Sequence, residues 1–168
     1  MTLATHAVVG AALASAVPDH PGIAFALGFA SHFVMDAIPH WHYPLATLEH
    51  DRENPLNNDM HINRQFPFDL AKIFADAVLG IALSFFFFHP SSGAAQFTLL
   101  AGAVGAMLPD PLQFVYWKFR HEPMYSLQRF HMWMHARKDF DDNMPLGVTL
   151  QALLILAAVV LADIAHIA

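Results

Sequence analysis

Basic and amphipathic aromatic residues are confined to two stretches of this chain, and long apolar segments fill the rest. Seven of the eight Lys and Arg residues, and all six Trp and Tyr residues, fall in residues 39–66 and 110–144. The apolar segments cover residues 2–17, 21–38, 67–88, 91–108 and 145–165. Pro21, Pro67 and Pro145 stand where a helix starts, and Pro18, Pro39 and Pro109 where one stops. Only 13% of residues are charged, whereas soluble domains carry about a quarter. The expected fold is all-α. It is a polytopic membrane helix bundle with about five apolar helices, forming a single integral-membrane domain over residues 1–168.

The distribution of charge gives the bundle an expected orientation. With five crossings, the N-terminus, residues 39–66 and residues 110–144 share one face. Arg52, Arg64, Lys118, Arg120, Arg129, Arg137 and Lys138 lie there, and Lys72 is one turn into the third segment on the same side. The positive-inside rule makes that face cytoplasmic. Trp41, Tyr43, Tyr116, Trp117, Tyr125 and Trp133 would form its aromatic belt. Residues 39–66 read as a polar cytoplasmic loop. Residues 110–144 read as cytoplasmic interfacial helices, over 111–121 and 124–138. The first segment is the exception in length: it reaches only about 24 Å at the helical rise, against a bilayer core of about 30 Å.

Ionisable residues within apolar segments are costly and by default mark function. The chain has 12 His and no Cys, so a metal would be held by nitrogen and oxygen. His32 and Asp36 stand at i and i+4, on one face of a helix, and His131 and His135 repeat the spacing. His6 and Asp110 fall at the same end of their segments. A topology drawn from Lys, Arg, Trp and Tyr thus places His6, His32, Asp36, Asp110, His131 and His135 together as candidate ligands. Zinc is the expected divalent ion, and six ligands leave room for two ions. Asp69 and His40 are the candidates for general base or orienting residue. His42, His50, His61 and His121 are expected to face solvent. No basic run suggests nucleic acid as a partner.

Thr5-His6-Ala7-Val8-Val9-Gly10, the Pro18-Asp19 pair and the His32-x-x-x-Asp36 spacing resemble the membrane-bound metal-dependent hydrolase family of bacterial inner-membrane proteins. That family is distantly similar to zinc-dependent phospholipase C, whose all-α fold gathers His and Asp around zinc. The resemblance covers the first forty residues best. It implies a hydrolase of a lipid or lipid-linked phosphoester, at the cytoplasmic face, using a metal-bound water. Two other readings use the same residues: a small metal or proton transporter, and a structural membrane protein whose His/Asp contacts tie helices together.

Overall fold

The computed structural model describes residues 1–51 and 53–167. Arg52, assigned above to the basic face, lies outside the described residues. Seven α-helices make up most of the chain: α1 Leu3–Ser15, α2 Pro21–Asp36, α3 Phe66–Phe88, α4 Gly93–Met107, α5 Pro109–Phe119, α6 Met124–Met134 and α7 Met144–Ile167. The all-α expectation holds. Between α2 and α3 a two-stranded antiparallel hairpin pairs β1 Leu48–Glu49 with β2 Asp59–Met60.

Local signals set the helix ends. The Thr2 hydroxyl accepts from the Thr5 N–H at the start of α1, and Ser92 does the same for Ala95 at α4. Pro21 and Pro109 open α2 and α5, where the missing N–H costs nothing. His89 adopts φ 42°, in the left-handed region, and ends α3.

Helix α1 is the centre of the bundle and packs against α2, α3, α4 and α7. Its Ala7, Val8 and Ala11 are fully buried. Backbones meet closely beneath its first turns. A Cβ at Gly102 would overlap the Gly10 carbonyl and the Ala14 side chain; one at Gly10 would overlap the Gly102 carbonyl and Ala106. The contact is therefore reciprocal between antiparallel α1 and α4. Gly28 of α2 meets the same Gly102 carbonyl, so three helices share one glycine-lined junction.

The number of spanning helices is smaller than expected. Among the described residues only α3, with 23 residues, and α7, over Met144–Ala165, are long and apolar enough to cross a membrane. The pair α4–α5, bent by 44°, adds a third if it forms one broken span. At 13 residues, α1 reaches only about 20 Å. Most of its apolar side chains serve helix contacts, because four helices pack around it and Leu13 alone among its residues is exposed. Composition alone does not separate such a helix from one that faces lipid. The long helices do the opposite and turn their apolar faces outward. Phe68, Phe74, Leu79 and Phe86 of α3 are exposed, as are Leu153, Leu156 and Leu161 of α7. Apolar patches of that extent are tolerated by lipid rather than water.

Two polar side chains, half-buried Asp76 and buried Gln151, tie the long helices to α1. The Asp76 carboxylate of α3 accepts from the Leu3 and Ala4 N–H groups at 2.7 and 3.2 Å. It caps donors that a helix N-terminus leaves unsatisfied. Gln151 of α7 accepts from the Thr2 N–H and the Thr5 hydroxyl, and donates to the Trp41 carbonyl. The aromatic belt also differs from expectation at one member. Tyr116 is buried, and its hydroxyl donates to the Leu56 carbonyl under the hairpin.

The glycine junction yields a sharp contrast. Gly102→Leu overfills a site lined by backbone and should cost at least about 1–3 kcal/mol. Gly22 of α2 has open space around its Cβ direction, so Gly22→Ala should be neutral or stabilise by up to about 1 kcal/mol. Thermal unfolding of both variants in detergent checks the pair.

Candidate metal centre

The residues at the α1 start, the α2 end, the α4–α5 junction and α6 meet at one end of the bundle. Asp36, only 1% exposed, is their focus. His32 sits one turn before it, and its Nδ1–H donates to the Ala106 carbonyl at 2.8 Å. That bond fixes the tautomer, so Nε2 carries the lone pair. This nitrogen points at Asp36 Oδ2 (3.1 Å), His131 Nε2 (3.3 Å) and Asp110 Oδ1 (3.6 Å). His131 Nε2 is 3.0 Å from the same Asp36 oxygen. Four donor atoms from His32, Asp36, Asp110 and His131 all lie within 4.8 Å of one another.

Those separations match a coordination shell. Ligands at about 2.0–2.1 Å in a tetrahedron are separated by about 3.3 Å. His32 Nε2 and the carboxylates converge on one point, which either a proton on the imidazole or a metal cation can occupy. A divalent ion there would meet the borderline nitrogen and oxygen donors that zinc takes. Asp110 is itself oriented from outside the group. Gln113 donates to Asp110 Oδ1 at 3.0 Å, and buried Gln128 donates to Gln113 at 3.1 Å. This α5–α6 relay is of the kind that orients metal ligands from behind. Its glutamines lay in segments read from sequence only as interfacial helices. A spacing signal for them does not exist, because they sit on different helices.

The other candidates divide into three groups. His6 is fully buried, stacks on the His32 ring at 4.0 Å, and its Nε2 lies 3.1 Å from Asp36 Oδ1. Its Nδ1 has no hydrogen-bond partner among the described residues. His6 therefore contacts the shared carboxylate rather than joining the four converging atoms. The Met1 amino nitrogen approaches the same oxygen at 3.2 Å. His135 sits apart from His131's group, beside His40 and His42, with one ring nitrogen from each of the three within 4.8 Å. Asp69 belongs to neither group. Its carboxylate accepts from the Thr47 N–H and hydroxyl, both at 2.8 Å, and from Lys72 at 3.1 Å. It anchors the chain before β1 to α3.

His42 is the residue that sequence reasoning missed. It was expected to face solvent, as exposed His50, His61 and His121 do, but its Nε2 lies 2.8 Å from His40 Nε2. Burial, aided by the N-terminal ammonium, pushes His40 down to about 3, and the same causes lower His42. Burial also lowers His135. All three rings are thus neutral near pH 7. Asp19 lies at the far end, where neighbouring Pro18 lines a cleft with His89 and Pro90.

No protein-family model, curated protein or solved structure matches the chain.

The glutamine relay makes its own test. Gln113→Leu leaves every ligand in place but removes the hydrogen bond on Asp110. Zinc affinity of the purified protein should fall about 10–100-fold, as read by competition with a chromophoric chelator.

Proposed function

We propose that the protein is a metal-dependent hydrolase acting on a lipid or lipid-linked phosphoester. The site is taken to face the cytoplasm, in a bacterial inner membrane. The observation that carries this reading is the convergence of His32, Asp36, Asp110 and His131 at coordination-shell distances. Zinc held there would supply a water ionised near pH 7 and polarise a phosphoryl oxygen.

The chain's own residues support the remaining parts of the reading. The Thr2 and Thr5 hydroxyls, at the α1 start beside His6, bond each other and Gln151 rather than an imidazole, so neither is paired with a base. Asp110 is 28% exposed at its side chain, which leaves one side of the group open to a substrate. Arg129 and Arg137 are exposed on and just beyond α6 and suit anionic headgroups. The resemblance of the first forty residues to membrane-bound metal-dependent hydrolases points the same way. A transport role fits less well. Directly below the group, α1, α2 and α4 meet backbone to backbone at Gly10, Gly28 and Gly102, a junction too tight for a polar path.

Purified protein in lipid bicelles should hydrolyse a phosphoester-bearing lipid. Turnover should vanish on chelation, return with zinc, and fall to background in His131→Ala with helix content unchanged. Turnover indifferent to chelators would sink the reading.

A further inference from the structure

Outside the four-atom group, three imidazoles form a second constellation with a supporting shell of its own. Each has its Nδ1 engaged. His40 Nδ1 donates to the Ile38 carbonyl at 2.6 Å, His42 Nδ1 to Asp141 Oδ1 at 3.1 Å, and His135 Nδ1 to the Ala136 carbonyl at 3.0 Å. Each Nε2 is therefore left with a lone pair. Two of those lone pairs face each other at 2.8 Å, between His40 and His42. With both Nδ1 atoms engaged, that gap is where one cation can bridge the two rings, with a His135 ring nitrogen within 4.8 Å of both.

The backbone holds the three rings in register. Ala136 N–H donates to the Asp36 carbonyl at 2.7 Å, and Phe140 N–H to the His40 carbonyl at 2.9 Å. Asp141 also accepts the His42 backbone N–H at 2.8 Å. The segment after α6 is thus zipped along the segment after α2, which sets His135 opposite His40 and His42. His40 is buried, while His42 is 36% exposed, so the group opens toward solvent on one side. Asp36 Oδ1 lies 3.7 Å from His40 Nε2, and Oδ2 faces His32 and His131.

We propose that His40, His42 and His135 hold a second divalent cation, next to the first and sharing Asp36 with it. Asp141, Ile38 and Ala136 orient its ligands. Three imidazole nitrogens with one open side suit zinc or a similar borderline ion. The inference deepens the hydrolase reading and rests on it only through Asp36. Two cations served by one carboxylate fit a phosphoester better than a carboxylic ester, because a pair can offset charge on both the attacking and leaving oxygens.

The test is metal stoichiometry, read by elemental analysis and by zinc titration of chelator-stripped, full-length protein in detergent. The native chain should bind two equivalents, His42→Ala one, His131→Ala one, and the double variant none. Asp141→Asn, which keeps all three rings, should weaken one of the two binding steps about 10–100-fold; it serves if His42→Ala fails to fold. A native chain that binds one ion, retained in His42→Ala and lost in His131→Ala, overturns the second site and leaves the first. One ion lost in His42→Ala but kept in His131→Ala supports the second site and overturns the first. No bound zinc overturns both.

Discussion

A buried carboxylate with no Lys or Arg partner among the described residues governs this structure. Asp36 is 1% exposed, and the groups around its two oxygens are imidazoles and the Met1 amino group. Removing a carboxylate from water carries an effective penalty of several kcal/mol unless positive charge and hydrogen bonds replace the solvent. The chain answers by bringing residues from α1, α2 and α6 and from the loop after α2 to one point. His32 and His40 are held from behind by the Ala106 and Ile38 carbonyls. The end of the bundle is organised about that charge, and the glycine junction lets three helices approach closely enough to deliver it.

Much of this was readable from the residues. His32 and Asp36 share a helix face because their spacing is one turn, and α2 runs unbroken from Pro21 to Asp36. The segregation of Lys, Arg, Trp and Tyr put His6, Asp110 and His131 at the same end, where the structure has them. His42 was not readable. It follows Pro39 in a segment without helical period, so sequence gives no ring direction. Its partner Asp141 lies 99 residues away, and their pairing depends on backbone hydrogen bonds between two loops. Asp69 misled for a related reason. An acid near the start of an apolar helix looks functional, but Thr47 and Lys72 occupy its oxygens.

The count of crossings failed on a physical ambiguity. An Ala/Gly-rich helix buried in protein and one buried in lipid have the same hydropathy. They differ in length and in what surrounds them. Helix α1 is short because its N-terminus must stop at the site, where Asp76 and Gln151 receive its first N–H groups.

That stopping point fixes the depth of the site. Asp76 lies ten residues beyond the start of α3 at Phe66, and Gln151 seven beyond the start of α7 at Met144. At the helical rise, those offsets are about 15 Å and about 10 Å. Both long helices therefore extend past the start of α1 on the side where the His/Asp groups collect. In a bilayer crossed by α3 and α7, the groups sit about 10–15 Å below those helix ends. The β1–β2 hairpin and the α5–α6 pair pack over that end, joined by Lys118 to Asp59 at 2.6 Å and by Arg120 to the Leu56 carbonyl at 2.9 Å. A lipid substrate, as proposed above, would be anchored in the bilayer beside α3 and α7, whereas a freely soluble phosphoester would have to pass the hairpin and the helix ends.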